Sequence, residues 1–383
     1  MKIGIDIQCL TRPLTGVGYY TLGLLDGLAA LENPGRICPF YFSRRGHVDL
    51  PARVYKKMPP LGRKIPGRIL SLGWKRFGFP PLNWLIRGMD VYHFPDFISR
   101  PVKRKPMVTT VYDLSFKRYP EFTEPKNLKY LEGALPGSLE RSDRIIVISE
   151  FTRDELVSLY PVAENKVAVI PGGIDDSFRV PITDDELLRV RYRFHLPEKY
   201  VLTVGTWEPR KNLVRLLQTW HALRTNERVG GYKLVMAGMK GWLCGEIEQQ
   251  FRTQAGQREV MEIGYVPRSA LPAIYRGASA FVFPSIYEGQ GLPPLEAMAS
   301  GVPVAASRTG SLPEVLGDAA LFFDPMDQRD MAGAIEALLT REELADELRE
   351  KGKRQSKDFT WVRAAEKTVE VYRNAAGQGG MLG

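Results

Sequence analysis

The sequence FVFPSIYEGQGLPPLEAMASGVP occupies residues 281–303. Its first three residues, Phe281-Val-Phe283, form a short apolar run that predicts the end of a buried strand. Pro293-Pro294 suit the first turn of a helix, and Gly301 suits its end. The stretch therefore predicts a strand, a glycine-containing loop and a helix in succession.

Two carboxylates, Glu288 and Glu296, lie eight positions apart in this stretch. Glu288 falls in the predicted loop and Glu296 in the first predicted helical turn, so the two do not share one helical face. Open α/β folds bind ligands in a crevice at the carboxyl ends of their parallel strands. We therefore expect both carboxylates to point into one such crevice.

The composition places the chain among ordinary globular proteins. It has 383 residues, of which 44% are hydrophobic and 25% charged, and this length predicts two domains. The three scattered cysteines argue against a disulfide framework and for a reducing compartment. Because Asp6 interrupts the apolar N-terminus and no long apolar run follows, we expect neither a secretory signal nor a transmembrane helix.

The net charge of +9 is concentrated in one segment, residues 51–89, which contains no Asp or Glu. Apolar side chains at helical spacing (Leu70, Trp74 and Phe77) stand among its cations. This combination suits an anionic membrane surface, where each cation contributes about 1 kcal/mol. One alternative role for this segment is a solvated basic face that covers core residues. Another is binding of nucleic acid, but the sequence contains no nucleic-acid-binding signature. The nine cations are Arg53, Lys56, Lys57, Arg63, Lys64, Arg68, Lys75, Arg76 and Arg87.

Strands and helices alternate along the chain, which indicates parallel βαβ units. The first half opens with a strand at Ile3–Ile7 and a glycine loop, Thr15–Gly18; the second opens with a strand at Tyr200–Val204 and a loop, Gly205–Lys211. Glycines at such a junction let the backbone approach an anion at a helix N-terminus. A tight strand-to-helix turn is the alternative interpretation of Gly16. The last predicted helix is Trp361–Ala375.

Arg210 and Lys211 lie between a predicted strand and a predicted helix. A guanidinium binds two phosphate oxygens at once, and a lysine adds a compact charge. A helix N-terminus behind them would favour a diphosphate. A surface basic pair is the alternative, but two carboxylates and several glycine turns in the same domain favour a site for a sugar nucleotide diphosphate.

Taken together, these residues resemble the donor-site signature of the retaining glycosyltransferases of family 4. Glu288, Glu296 and Gly301-Val-Pro-Val304 match that signature, and Gly205 with Arg210-Lys211-Asn212 resembles the diphosphate-binding loop of the family. The resemblance covers most of the chain and is strongest in residues 145–325. Further similar segments are Ser149–Thr152, Pro171–Asp175 and Thr309–Glu314.

The resemblance implies an α/β chain with the GT-B fold, in which two Rossmann-like domains face a central cleft. The N-terminal acceptor-binding domain would comprise residues 1–175. The C-terminal domain, residues 176–359, would bind the nucleotide sugar. Residues 360–383 would form a helix that crosses back to the N-terminal domain.

The resemblance also implies a role for each matching residue. Arg210 and Lys211 would neutralise the leaving diphosphate, so that neither a metal nor a cofactor is expected. Glu296 would bind the ribose, and Glu288 the hydroxyls of the transferred sugar. The remaining donor-binding positions would be Gly16, Gly205, Gly289, Gln290, Gly291 and Leu292.

The sequence departs from the family pattern at two places. Tyr112 stands where many members have a histidine, so the role of that histidine cannot be transferred. Asp113 remains as the catalytic candidate that orients the acceptor hydroxyl, together with Glu288 on the donor side. His93 is a second candidate for the cleft, with a structural role as its alternative. Gln290 replaces a common aromatic residue.

The expected function is therefore retaining transfer of a hexose, first mannose from GDP-mannose, onto a lipid-linked saccharide or polysaccharide precursor. The alternatives are a UDP-sugar transferase for glucose or GlcNAc, a GT-B nucleotide-sugar epimerase, and a non-catalytic nucleotide-sugar sensor. We expect a cytoplasmic protein, peripheral on the inner face of the plasma membrane through residues 51–89, with no nucleic-acid partner.

Overall fold

The computed structural model describes residues 1–12, 14–43, 48–65, 70, 72–74, 77–223, 225–255 and 259–377. The chain forms two compact units. The first unit contains Met1–Leu114, Pro125–Gly173 and the described residues from Phe359 onward, and the second contains Ser115–Glu124 and Ile174–Asp358. The segment Ser115–Glu124 thus packs with the second unit although it follows a strand of the first.

The first unit is built on a seven-stranded parallel sheet in the order β3-β2-β1-β4-β5-β6-β7. Its strands are β1 (Lys2–Asp6), β2 (Arg36–Phe42), β3 (Leu61–Arg63), β4 (Val91–Phe94), β5 (Met107–Val111), β6 (Arg144–Val147) and β7 (Val167–Val169).

The second unit is built on a six-stranded parallel sheet in the order β10-β9-β8-β11-β12-β13. Its strands are β8 (Tyr200–Val204), β9 (Lys233–Ala237), β10 (Val260–Gly264), β11 (Ala280–Phe283), β12 (Val304–Ser307) and β13 (Ala320–Phe323). The predicted α/β architecture of two successive parallel-sheet units is confirmed.

Helices connect the strands, as parallel pairing requires. The described helices of the first unit are α1 (Gly16–Ala30), α2 (Ala52–Lys57), α3 (Leu82–Leu85), α5 (Pro125–Arg141), α6 (Glu150–Leu159) and α15 (Trp361–Ala375). Those of the second unit are α4 (Ser115–Arg118), α7 (Asp184–Arg193), α8 (Leu213–Leu223), α9 (Gly245–Ala255), α10 (Leu271–Arg276), α11 (Leu292–Ala299), α12 (Leu312–Leu316), α13 (Gln328–Thr340) and α14 (Glu342–Ser356). In the part of the chain that the structure describes, no helix has both the length and the apolarity needed to cross a bilayer.

The last helix, α15, returns to the first unit and packs against α1 because glycines make room for Trp361. A Cβ atom at Gly23 would lie 2.0 Å from the Trp361 ring, and one at Gly27 would lie 2.1 Å from the Trp361 carbonyl oxygen. A Cβ at Gly173 would lie 2.2 Å from the Trp361 amide nitrogen. Side chains larger than glycine would therefore push α15 away from the first unit.

Candidate functional site

The candidate site of the second unit lies where the strand order of its sheet reverses. The chain runs from β8 outward to β10, then returns to β11 on the other side of β8 and runs outward to β13. The loops that follow β8 and β11 therefore diverge, which opens a crevice at the carboxyl ends of these two strands. This topology brings Arg210 and Lys211, after β8, next to Glu288, after β11.

Four charged side chains form a compact cluster in this crevice. Glu288 lies 2.9 Å from Nη1 of Arg210 through Oε2, and 2.6 Å from Nζ of Lys211 through Oε1. Nη2 of Arg210 lies 2.5 Å from Oε1 of Glu208. We call these four residues the ion-pair cluster. Two carboxylates and two cations give it a net charge of zero.

The ion-pair cluster is shielded from water, and this decides the protonation of Glu288. Glu208 is 2% exposed and Glu288 is 7% exposed. Burial alone would raise the pKa of Glu288, but Arg210 and Lys211 lower it to about 2. Glu288 is therefore ionised at neutral pH, which suits a hydrogen-bond acceptor and excludes a proton donor.

The backbone around Glu288 is held by the segment Thr309–Ser311. Ser311 donates two hydrogen bonds to the Glu288 carbonyl, from its amide at 3.2 Å and its hydroxyl at 3.0 Å. The Thr309 hydroxyl donates to the Ser285 carbonyl at 3.0 Å. Gly310 has φ of +59°, and a Cβ there would lie 2.9 Å from both the amide nitrogen and the carbonyl oxygen of Glu288. This position therefore requires glycine.

Glu296 has different partners from Glu288. Its Oε1 lies 3.0 Å from Nη1 of Arg268, and its Oε2 accepts a hydrogen bond from the Tyr275 hydroxyl at 3.1 Å. Burial raises the pKa of Glu296, although Arg268 opposes the shift. The placement in a first helical turn was wrong, because α11 begins at Leu292 and Glu296 is its fifth residue. The pair with Arg268, rather than the helix N-terminus, neutralises this carboxylate.

The glycine-rich loop before α11 is folded tightly. Gly291 has φ of +83°, and a Cβ there would lie 2.5 Å from Leu312. Gln290 is 3% exposed, and Leu292 begins the helix that Pro293-Pro294 had predicted. Gly289 completes the loop between Glu288 and these residues. This loop therefore follows Glu288 of the ion-pair cluster directly in the sequence.

Gly205 stands at the end of β8 and donates its amide to the Ala237 carbonyl at 2.9 Å. A Cβ at the neighbouring Gly238 would lie 1.9 Å from the Gly205 carbonyl oxygen. Asn212, which resembled part of the diphosphate loop, has φ of +55° and donates its side-chain amide to the Pro325 carbonyl at 2.8 Å. Asn212 therefore fixes the turn that follows Lys211.

Four sequence-predicted residues lie in the first unit, and two of them are packed in its core. His93 is fully buried, with Nδ1 2.7 Å from the Tyr372 hydroxyl and Nε2 2.8 Å from the Thr110 hydroxyl. Burial lowers its pKa to about 3, so the ring is neutral. Both nitrogens are engaged within the unit, which favours the structural alternative over a position lining a cleft.

Tyr112 is also buried, and its hydroxyl donates to the Pro95 carbonyl at 2.7 Å. Its ring meets those of Tyr20 and Phe97 edge-on. Asp113 follows it and is half-buried. Gly16 is the exposed first residue of α1, and a Cβ there would meet nothing within 4 Å.

Several residues near the ion-pair cluster were missed by the sequence analysis. Tyr119 stacks on Phe122 with ring centroids 5.3 Å apart and meets the Tyr287 ring edge-on at 6.0 Å. The Phe122 carbonyl accepts a hydrogen bond from Nε1 of Trp242 at 2.7 Å. Tyr287 precedes Glu288, and its carbonyl accepts a hydrogen bond from Arg210 at 2.8 Å. The segment Ser115–Glu124 therefore supports the loop that carries Glu288.

Similar folds occur in solved structures. Sucrose-phosphate synthase from Thermosynechococcus elongatus aligns with a TM-score of 0.76 at 20% identity, covering 99% of this chain and 100% of its own. HepE from Anabaena, in complex with UDP and glucose, aligns with a TM-score of 0.72 at 15% identity, covering 97% of this chain and 98% of its own. The fold is that of the GT-B glycosyltransferases, as predicted.

The sequence comparisons extend this result to the family. The model of glycosyltransferase family 4 matches residues 14–178, and that of glycosyl transferases group 1 matches residues 184–355. O-antigen chain mannosyltransferase B of Escherichia coli is 31% identical over 97% of this chain and 100% of its own length. The chain belongs to the family 4 glycosyltransferases.

Gly310 lies so close to the backbone of Glu288 that no larger residue fits without a shift. Gly310→Ala places a Cβ against the backbone of Glu288 and displaces the loop, so we expect glycosyltransferase activity to fall by roughly 10²-fold. Gly333→Ala in α13 is the matched control, because a Cβ there meets nothing within 4 Å. Activity and thermal unfolding are measured for both variants. Equal activities would contradict the role of Gly310.

Proposed function

We propose that the protein transfers a hexose from a nucleotide sugar with retention of configuration and without a metal ion. The observation that carries the proposal is the ion-pair cluster, in which Arg210 and Lys211 stand at a crevice formed by a reversal of strand order. Membership of the family identifies the protein as a glycosyltransferase. The donor, the stereochemistry and the acceptor are proposed from the family resemblance of these residues and from the names of similar proteins.

The charge balance of the ion-pair cluster explains how a diphosphate would bind. Without ligand, Glu288 is paired with both Arg210 and Lys211, and Glu208 supplies the second negative charge through its pair with Arg210. A diphosphate offers the two cations stronger acceptors, since a guanidinium binds two phosphate oxygens in one plane. The Glu288 carboxylate would then be released to accept hydrogen bonds from hydroxyls of the sugar.

The transfer of Arg210 and Lys211 from Glu288 to the diphosphate would also assist the reaction. Negative charge develops on the diphosphate as the sugar leaves, and fixed cations stabilise it most at that point. Arg210 and Lys211 would supply this stabilisation in place of a metal ion. Glu208 stays on Arg210 and would hold the guanidinium in position during the transfer.

The other residues take supporting roles in this proposal. Glu296, steadied by Arg268 and Tyr275, would accept hydrogen bonds from the ribose. The loop Gly289–Leu292 and Gly205 would present backbone groups to the sugar and the phosphates. In the first unit, Asp113 would orient the acceptor hydroxyl, and Gly16 would allow close approach to the diphosphate.

Mannose from GDP-mannose is our first choice of donor, and a lipid-linked saccharide or polysaccharide precursor our choice of acceptor. The choice is supported by the name of the full-length Escherichia coli relative, an O-antigen chain mannosyltransferase. A UDP-hexose donor is the second candidate, favoured by the complex of HepE with UDP and glucose. An epimerase or a sensor of nucleotide sugars would give no transfer product.

A thermal-unfolding panel of GDP- and UDP-sugars tests the donor. A sugar nucleotide at about 100 times its Kd should raise the free energy of unfolding by roughly 2.7 kcal/mol. The product made from the nucleotide that stabilises most is then examined by NMR, and we expect the anomeric configuration of the donor. The proposal would be contradicted if neither the GDP-sugars nor the UDP-sugars stabilised the protein, or if the product had the opposite anomeric configuration to the donor.

We also propose that residues 51–89 hold the protein against an anionic membrane on its cytoplasmic face. Several large apolar side chains of this segment are exposed: Leu72 by 66%, Phe77 by 75%, Phe79 by 55% and Trp84 by 49%. The exposed cations that the structure describes are Arg53, Lys56, Lys57, Arg63, Lys64 and Arg87. Arg68, Lys75 and Arg76 lie outside the described residues. Exposed aromatic residues among cations are the composition of an interfacial anchor.

Sedimentation with lipid vesicles tests this surface. We expect binding to vesicles rich in phosphatidylglycerol but not to phosphatidylcholine, and weakening by salt. Phe77→Ser with Trp84→Ser should reduce binding at least roughly tenfold, since each ring buries apolar area worth about 1.5–3 kcal/mol. Tyr192→Ser, at a residue 83% exposed in α7, is the control. Equal binding by both variants would contradict the assignment.

A further inference from the structure

The amino edge of the first sheet carries a cavity that the proposed transfer does not use. The cavity has a volume of about 560 Å³ and lies among residues that begin or precede β1, β2, β3 and β4, beside the C-terminal ends of α1 and α2. The first-unit residues proposed for the transfer, Asp113 and Gly16, come after the carboxyl ends of β5 and β1 instead. A cavity of this volume is large enough for a small organic molecule.

The lining of this cavity is positively charged. Its cations are Lys2, Arg36, Lys57 and Arg87, and the carboxylate among the described lining residues is Glu32. Four positive charges and one negative charge give the lining a net charge of +3. Lys2 and Arg36 are register partners in β1 and β2, so their side chains leave the sheet on the same side. The lining therefore favours an anion.

The four cations differ in how well the fold itself engages them. Nζ of Lys57 donates to the Ala29 carbonyl at 2.7 Å, and Nε of Arg87 donates to a backbone carbonyl three residues earlier at 3.0 Å. The side chains of Lys2 and Arg36 form neither an ion pair nor a hydrogen bond with any other residue that the structure describes. Because like charges repel, gathering these cations costs stability that an anionic ligand would restore.

Apolar side chains make up much of the remaining lining. Leu61, in the edge strand β3, is 40% exposed, and the other five are buried. Inorganic phosphate alone would leave this apolar surface in water, and an uncharged apolar molecule would leave the cations without an acceptor. A molecule with a phosphate and an apolar chain satisfies both parts of the cavity. The five buried side chains are Leu28, Ala29, Ile37, Met58 and Met89.

The surroundings of the cavity favour a phospholipid as this molecule. Residues 57–59 and 87–89 line the cavity and also belong to residues 51–89, the segment proposed to contact an anionic membrane. Tyr55 and Trp84 lie near them in the sequence and are 50% and 49% exposed. A lipid at that surface carries both the phosphate and the apolar chains that the lining suits.

We propose that the cavity at the amino edge of the first sheet binds one anionic phospholipid, with its phosphate on Lys2 and Arg36 and its chains against the apolar lining. The inference goes beyond the proposed transfer, because no step of the transfer uses this edge. It rests on the proposed membrane contact only for the choice of a lipid over a water-soluble phosphate ester. The cavity adds recognition of a single headgroup to the general attraction of a basic surface.

Cys38 lines the cavity and reports its occupancy. Burial raises the pKa of the Cys38 thiol, so the full chain is treated with iodoacetamide at alkaline pH. Dihexanoyl phosphatidylglycerol, kept below its micelle concentration and at about ten times its Kd, should slow modification of Cys38 roughly tenfold. Cys244 in the second unit is the internal reference, and its rate should not change. Mass spectrometry of the peptides measures both thiols.

Two further probes separate the phosphate from the chains. Dihexanoyl phosphatidylcholine has a headgroup without net charge, and glycerol phosphate has no chains. Titration of Cys38 protection should give each of them a Kd at least roughly tenfold weaker than that of the phosphatidylglycerol. Equal affinity for the phosphatidylcholine would remove the role of the cations, and equal affinity for glycerol phosphate would assign the cavity to a water-soluble ester. Either result, or protection by none of the probes, overturns the proposal.

A charge variant tests the assigned contacts. Lys2→Gln with Arg36→Gln should weaken binding of the phosphatidylglycerol at least roughly tenfold, without lowering the midpoint of thermal unfolding. Arg144→Gln is the matched control, because Arg144 begins β6 on the same edge of the sheet and is not among the described lining residues. Equal lipid affinity in the two variants overturns the proposal. Since the probe is a monomer, this outcome is independent of the vesicle sedimentation that tests residues 51–89.

Discussion

Arg210 is held between two buried carboxylates, Glu208 and Glu288, and the candidate donor site depends on this contact. Buried charges are stable only when they are paired and hydrogen-bonded, and breaking such a pair costs roughly 3–5 kcal/mol. The loops after β8 and β11 are therefore tied to each other by charge. Gly310, Ser311 and Tyr287 complete the arrangement by fixing the backbone from which Glu288 extends.

Topology explains why the charged groups gather where they do. In each sheet the chain leaves a central strand in one direction and later returns on its other side. Adjacent loops diverge at that point and leave room for side chains and a ligand. The second unit uses its reversal for the ion-pair cluster. The first unit places the ion pair of Asp6 and Arg100 at the equivalent position of its own sheet.

The sequence predicted the alternation of strands and helices well, because apolar runs and glycine turns are local signals. The strand Tyr200–Val204 and the helix Trp361–Ala375 have the predicted bounds. The two prolines lie in the first turn of α11, as predicted, but the helix begins at Leu292, so Glu296 is its fifth residue and falls beyond the first turn.

The contacts between side chains were harder to predict than the positions of the strands and helices. Glu208 stands two residues before Arg210 and was visible in the loop, but nothing local shows that it faces the guanidinium. Arg268 is 28 residues from Glu296, and Tyr119 lies in a segment expected in the other domain. These contacts join segments that are distant in the sequence and become neighbours only through the order of the strands in the sheet. The resemblance to a family supplied Arg210, Lys211, Glu288 and Glu296. It did not supply Glu208 and Arg268, which pair with Arg210 and Glu296.

The affinity of the bare nucleoside diphosphate tests the ion-pair cluster most directly. Calorimetry would compare the unsubstituted protein, Glu288→Gln and Arg210→Gln, with GDP or UDP according to which one binds. If Glu288 competes with the diphosphate for Arg210 and Lys211, then Glu288→Gln should bind at least as tightly as the unsubstituted protein. Arg210→Gln should bind at least roughly tenfold more weakly, through the loss of a charge-assisted contact. An equal loss of affinity in both folded variants would contradict the account.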